Sequence, residues 1–364
     1  MSEPRREFLM LAKKYIPGKS AITGRYVSEK LDGTRVFWDG GVSRGVPLTL
    51  VPWANLTHPK TGEPKANLPQ FATGLYSRYA NPIMAPDWFL NELPSCPLDG
   101  ELWAGRGGFQ RLRSIVARNE PDERWHDVQF AVFGSPPGGI VWGDGLVKNP
   151  QMVHSIQSER VKSFLRGREA SGVMEDFQTL DTMATFETEL AFLRSMIPSD
   201  GTVYLHTQRR LSDDAYEAEK GLETFMGNVL DEGGEGIIIR DPRAIWTPKR
   251  VGTILKYKPF SDDQGTVTGF VSGRKTDKGS KLLGMIGALI LDYKGQRLEL
   301  SGLTDEERQF DSPFGENIAI LAPGKDMPAG TEGKHFKVGD TVEFRYRELS
   351  DTGIPKEARY LRRA

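Results

Sequence analysis

The period of the apolar positions changes along the chain, and the changes mark its elements. Residues 25–29 are extended in character, Leu31-Asp32-Gly33 is a turn and 34–38 is β-rich, so a strand, a turn and a strand are expected there. A short apolar strand is expected over 128–133. Apolar residues recurring at three- and four-residue spacing predict helices over 155–168, 183–196 and 216–230, the last ended by Asp231-Glu232-Gly233-Gly234. Compact apolar runs at 236–240 and 252–257 read as strands. Between these, 45–98 is rich in Pro, Gly and Asn and reads as an irregular insertion around short helices.

The pattern shifts near 259–264, where Pro259-Phe260-Ser261-Asp262-Asp263-Gln264 forms a polar, proline-started break. Beyond it, β-rich stretches at 265–272, 285–292, 297–302 and 341–347 are separated by turn signals such as Lys294-Gly295 and Val338-Gly339-Asp340. Short strands at such spacing suggest a small barrel or sandwich. The expected organisation is an α+β domain over 1–259 and a small β-barrel domain over 260–364.

Composition adds bounds. Of the 364 residues, 38% are hydrophobic and 27% charged, enough apolar material for a real core. The formal net charge of −1 argues against a strong global field toward nucleic acid or membrane. That sum averages unlike parts: 171–235 is net −10, 241–260 net +4 and 334–364 net +3. A single cysteine, Cys96, excludes an internal disulfide framework and a Cys-rich zinc site. The apolar run Phe8-Leu9-Met10-Leu11-Ala12 is too short for a signal core, and the expected location is the cytoplasm.

Several motifs fail on inspection. Pro17-Gly18-Lys19-Ser20 has the tail of a P-loop, but position 13, where the first glycine belongs, is Lys13. Gly105-Arg106-Gly107-Gly108 lacks dinucleotide-binding spacing, and the five histidines show no metal-ligand spacing. Five pieces survive: 29–35 (Glu-Lys-Leu-Asp-Gly-Thr-Arg), 99–102, 130–133, 235–240 and 255–259. Lys30, at a strand–turn junction, can be a covalent nucleophile once deprotonated. Lys256 and Lys258, two apart on a strand, share a face and invite an anion such as phosphate between them. Glu101 and Glu235 each follow or precede glycine at apolar strands, where a carboxylate can bind Mg²⁺, a ribose hydroxyl or a structural arginine. Phe133 serves core packing or base stacking. Together the pieces fit one chemistry, attack of a lysine on the α-phosphorus of a nucleotide.

In these residues the chain closely resembles the ATP-dependent DNA ligases of the covalent nucleotidyltransferase superfamily, especially the small phage and bacterial type. Residues 30–35 match the family's Lys-x-Asp-Gly-x-Arg motif completely. Ser43-Arg44-Gly45, Asp99-Gly100-Glu101, Val132-Phe133, the run from Glu235-Gly236 to Arg240 and Leu255-Lys256-Tyr257-Lys258 match the following motifs in order. Further along, 284–289 and 344–349 look like the family's OB-fold domain, and 353–362 like its terminal motif. The resemblance implies nick sealing in duplex DNA, in replication, repair or recombination, through a lysyl-AMP intermediate on Lys30, with ATP and Mg²⁺ (or Mn²⁺) as cofactors. It implies that Ser28, Glu29, Arg35, Glu101, Phe133, Lys256 and Lys258 bind ATP or AMP, and that Glu101 and Glu235 serve the metal. Arg44, Arg106 and Arg111 would contact DNA, with Arg113 and Arg118 as further candidates, while Arg359 and Arg362 would orient pyrophosphate. The implied partner is nicked double-stranded DNA, with no membrane, and the implied state is a monomer.

Some positions depart from the family pattern. The family commonly has Asp after the stacking Phe, where this chain has Gly134; if that carboxylate is needed, another must replace it. Lys356-Glu357-Ala358 replaces the usual aromatic–proline stretch before Arg359. The alternatives are an RNA ligase or mRNA guanylyltransferase of the same superfamily, and a non-catalytic OB-fold nucleic-acid binder. An NAD⁺-dependent ligase is disfavoured, because the first motif begins at residue 30 and only one cysteine is present. The length is expected to leave no room for a separate N-terminal DNA-binding domain, and 259–264 is the expected hinge.

Overall fold

The computed structural model describes residues 9–58, 61–136, 184–275, 279, 281–350 and 352–364. The helix expected over 155–168, residue 183 and the first part of the acidic run lie outside them. The chain divides into two compact units, Met1–Tyr257 and Lys258–Ala364.

Two five-stranded sheets build the first unit. One has the order β1 (Leu11–Lys14), β10 (Arg250–Tyr257), β9 (Ile237–Arg240), β2 (Tyr26–Glu29) and β8 (Arg209–Arg210). The other has the order β4 (Leu75–Ser77), β3 (Thr34–Asp39), β5 (Pro97–Trp103), β6 (Gln129–Gly134) and β7 (Val203–Leu205). β1 with β10 and β6 with β7 are parallel; the other pairs are antiparallel.

The period-2 alternation of each strand decides which residues share the space between the sheets. Val27, Ile237, Ile239 and Leu255 join the core under α4 (Ala215–Asp231), whose Ala218, Leu222, Met226 and Val229 recur at helical spacing. Asp214 caps that helix by accepting from the Glu217 N–H at 3.0 Å. Val36, Trp38, Leu98, Leu102, Phe130 and Val132 join a second core with α2 (Phe109–Val116) residues Leu112 and Ile115. The strand neighbours of these residues point the other way. Tyr26, Ile254, Phe37 and Tyr76 form a third core that takes in Phe186 and Leu190 from α3 (Phe186–Met196). The same parity turns Ser28, Ile238, Arg240 and Lys256 of one sheet, and Arg35, Asp99, Glu101 and Phe133 of the other, toward that inner space.

The stretch 45–98 is more structured than its composition suggests. It supplies β4, α1 (Asp87–Asn91) and a 3-10 turn at Leu48–Leu50, and it buries Val46, Val51, Trp53, Leu75, Phe89 and Leu93 in the first unit's cores.

The second unit is one five-stranded sheet in the order β13 (Gln296–Leu300), β12 (Ile286–Tyr293), β11 (Ser261–Ser272), β14 (Thr341–Tyr346) and β17 (Arg359–Arg363). Its two edges meet at a single bridge between Ser301 and Arg359, where the Tyr360 N–H donates to the Ser301 carbonyl at 2.8 Å. The sheet is thus curled, with its edges joined at one point, and is not a fully laddered barrel. A short pair, β15 (Glu348–Leu349) with β16 (Pro355–Lys356), and α5 (Pro313–Leu321) complete the described elements. Val267, Phe270, Leu289, Leu291, Phe336, Val342 and Phe344 form its core.

One boundary expectation needs correction. The polar residues 261–264 are not a loop: they open β11 and pair with β14 from Ser261–Tyr346 onward. Backbone laddering, blind to side-chain polarity, holds them extended, with Ser261 and Asp262 exposed. The division between the units falls at 257/258.

Candidate active site

Lys30 stands at the exit of β2, where its backbone N–H donates to the Gly236 carbonyl at 2.8 Å. That bond ties the Lys30 turn to the start of β9. Gly33, three residues on, is pressed against β5: a Cβ there would collide with the Leu102 carbonyl and lie 2.7 Å from Glu101 Cγ. Only glycine lets the turn sit so close to the strand that carries Glu101. The Lys30 ammonium touches the Glu235 carboxylate, and both side chains are largely withdrawn from solvent.

A cavity of about 220 Å³ opens between the two sheets. Its wall includes Ser28, Glu29, Lys30, Arg35, Glu101, Phe133 and Lys256, seven of the residues singled out from sequence. The strands that carry them are β2, β3, β5, β6 and β10, with Lys30 in the turn between β2 and β3.

The electrostatics of the wall are uneven. Arg35 donates from Nε and Nη2 to both oxygens of the fully buried Asp99, at 2.6 and 2.7 Å. Its guanidinium lies over the Phe133 ring, 4.6 Å from the centroid. Withdrawal from water pushes the Glu101 carboxyl up to about 7, against the pull of Arg35 and Lys30. Behind Phe133, buried Arg240 donates to the Phe133 carbonyl at 2.8 Å and covers the Phe186 ring at 4.3 Å. Glu189 of α3 accepts the Ser135 N–H, and burial pushes its carboxyl up to about 7 against the opposing charge of Arg240.

Other expected residues fall elsewhere. Lys258 lies past the end of β10 and begins the second unit, so it does not share a strand face with Lys256. Arg44 is held on the surface by Asn91 at 2.8 Å and Asp87 at 2.6 Å, away from the cavity wall. Arg106 is occupied by Glu29 at 3.0 and 2.8 Å and by Glu232 at 2.9 Å. Arg111 meets Asp127 at 3.3 Å and the Ala104 carbonyl at 2.9 Å, and Arg118 meets Asp122 at 2.7 Å. Arg113 is exposed, and no carboxylate among the described residues pairs with it. In the second unit, Arg359 donates to Ser301 Oγ at 3.0 Å and Arg362 to Glu343 at 2.6 Å.

Sequence reasoning missed His206, Gln208, Arg78, Arg250 and Ile238 in the wall. Ile238 and Arg240 were within reach, because the alternation of the 237–240 strand already puts them on one face. His206 and Arg78 had no local signal; their place depends on which strands pair.

A metal would need more donors than the wall supplies alone, since no group of three or more His, Cys, Asp or Glu could hold an ion among the described residues. Mg²⁺ commonly takes one or two carboxylates and completes its shell with phosphate oxygens and water. Glu235, which touches Lys30, and Glu101, whose charge Lys30 feels, fit that donor set by chemistry. No helix among the described residues is long and apolar enough to cross a membrane.

The chain has relatives of known kind. Residues 279–363 match the family model described as the DNA ligase OB-like domain. A DNA ligase of Haemophilus influenzae is 21% identical over 355 residues, covering 97% of this chain and 91% of that protein. A DNA ligase of Haloarcula marismortui is 33% identical over 131 residues, 34% of this chain and 22% of that protein. Among solved structures, a Lig E DNA ligase described as binding DNA with a minimal scaffold is 24% identical, with a TM-score of 0.59 and 98% of both chains covered. The fold is therefore that of the Lig E DNA ligase, with an OB-like domain over 279–363.

Proposed function

We propose that this chain is an ATP-dependent DNA ligase that seals nicks in duplex DNA. The observation that carries the reading is the single cavity that gathers Lys30, Glu101, Phe133 and Lys256 from separate strands, in a chain that ends in a ligase-type OB domain. In the first step the Lys30 Nζ–Pα bond forms and the bond from Pα to the bridging oxygen of pyrophosphate breaks. Lys30 must lose a proton to solvent before attack, and Glu235, which touches Nζ, holds the amine in place. Lys256 offsets charge on the α-phosphate, and Ser28, Ile238 and Phe133 enclose the base. Glu101 and Glu235 would hold Mg²⁺, which when bound supplies positive charge against the phosphoryl oxygens. The adenylate then passes to the 5′-phosphate of a nick, and the 3′-hydroxyl displaces AMP. Lys258, Arg359 and Arg362 would act in these steps from the second unit.

The expected result is that Lys30→Ala abolishes the covalent adduct from α-labelled ATP and the sealing of a nicked duplex, while the wild type forms both. An undiminished adduct in the variant sinks the assignment. The second reading is a capping or RNA-joining enzyme, which shares the lysine chemistry. Labelling by GTP in preference to ATP, or sealing of RNA but not DNA, would select it; the OB-like match over 279–363 favours DNA.

A further inference from the structure

His206 follows β7 directly and is only 8% exposed. Its backbone N–H donates to the Val132 carbonyl at 2.8 Å, which fixes it beside β6, the strand that carries Phe133. Its ring Nε2 lies 2.8 Å from the carbonyl of Glu29, the residue that precedes Lys30. A carbonyl oxygen can only accept, so Nε2 carries the proton. In the neutral ring Nδ1 then holds a lone pair. Burial lowers the ring's proton affinity, and the bond to Glu29, which pulls the other way, does not outweigh it. No described residue meets Nδ1, and His206 is part of the cavity wall with Ser28, Phe133 and Ile238.

The cavity thus contains a fixed acceptor between the strand of the nucleophile and the strand of the stacking ring. We propose that His206 is the residue that selects adenine, with Nδ1 accepting from the 6-amino group of the purine. A 6-oxo purine, guanine or hypoxanthine, would set a carbonyl lone pair against the Nδ1 lone pair. The ring cannot adapt by moving its proton, because the other tautomer turns the Nε2 lone pair on the Glu29 carbonyl. The inference rests on the reading of this cavity as a nucleotide site.

The test uses the purified full chain and single-turnover adduct formation with ATP, purine riboside triphosphate and ITP, which lack the 6-amino group in different ways. The wild type should rank them ATP, then the unsubstituted purine, then ITP. The gap from first to last should be about tenfold to a hundredfold, the range expected when a buried polar group loses its partner. His206→Leu should collapse that ratio to within about threefold, mainly by slowing ATP. His206→Gln, whose amide can donate to Glu29 and still offer an acceptor, should restore most of it. A wild type that uses the unsubstituted purine as well as ATP overturns the inference without any variant, even if His206→Leu fails to fold. So does a His206→Leu enzyme that keeps the ATP-to-ITP ratio. A wild type that forms no adduct with any triphosphate overturns the nucleotide-site reading as well, so the two failures are told apart.

Discussion

We propose that Glu189 of α3 stands in for the carboxylate that the family resemblance places directly after Phe133, where this chain has Gly134, and reversing that exchange tests it. A Cβ at Gly134 would lie 3.0 Å from Glu189 Oε1, 3.4 Å from Asp99 Cβ and 3.9 Å from Arg240 Nη1. The space an aspartate would occupy is already filled by the Glu189 carboxylate. Gly134→Asp alone should overpack the site and set two carboxylates together, a loss of about 1–3 kcal/mol. Glu189→Ala alone strips Arg240, 5% exposed, of its foremost counter-charge, and breaking a buried pair this way costs about 3–5 kcal/mol. If the effects were independent, the double variant would lose about 4–8 kcal/mol. The structure predicts otherwise: with Glu189 removed, the new carboxylate has room and reaches Arg240. The double variant should therefore be at least about 2 kcal/mol more stable than the sum of the singles. Urea unfolding followed by tryptophan fluorescence measures this, with adduct formation from ATP as a second readout that should recover in parallel. Additivity within about 0.5 kcal/mol would falsify the relocation.

Three further outcomes follow from the charges in the first unit. Because burial raises the Glu101 carboxyl to about 7, the folded chain binds that proton more tightly than the unfolded chain between about pH 4.5 and 7. Stability from this group is therefore greatest in acid and falls as pH rises through 7, by about 3 kcal/mol at most; Glu101→Gln should flatten that slope in urea melts at pH 5.5 and 8. The same substitution should remove an inflection near pH 7 from the rate of adduct formation, if anionic Glu101 supports the metal or ribose. Among the basic residues near α2, Arg106 is already neutralised by Glu29 and Glu232, whereas Arg113 pairs with no described carboxylate. Arg113→Ala should lower the salt slope of nick binding by about one, and Arg106→Ala should leave it unchanged. Equal effects of the two would refute this division.

Most of the candidate site was legible because its residues sit in strands with clear alternation. Val27, Val36, Val132, Ile239 and Leu255 are core residues, and the catalytic candidates are their immediate neighbours on the opposite face. What sequence could not supply was the pairing of distant strands. β2 lies against β9, some 210 residues away, and this pairing brings Glu235 to Lys30. Likewise α3 delivers Glu189 behind Gly134, a contact no local pattern announces. The reading of 261–264 as a break failed for a related reason. Side-chain polarity marks solvent exposure, not the absence of a backbone ladder, and Asp262 and Asp263 pair with Arg345 and Phe344 while facing water or Tyr293. The partners of the expected DNA-contact arginines were not legible either: Arg106, Arg111 and Arg118 each meet a carboxylate that no local pattern announces.

Arg35 shows how far geometry changes a role that sequence alone suggests. As a motif residue it was expected, by resemblance, to bind ATP or AMP. Its fork of donors is committed: Nε and Nη2 both bind Asp99, which is fully buried and also receives the Trp246 indole N–H at 3.3 Å. Withdrawing Arg35 would leave an uncompensated buried carboxylate, a cost of about 3–5 kcal/mol, which exceeds the gain from a typical charged hydrogen bond of about 1.5–3 kcal/mol. Arg35 therefore stays in place and has Nη1 alone to offer a phosphate or ribose oxygen. Its position over Phe133 then acquires a purpose. One ring face is covered by the cation, so under the proposed function a purine would stack on the other, on a ring whose tilt the Arg35–Asp99 pair already fixes. On the proposed function, the arginine would thus position the base platform first and contact the ligand second.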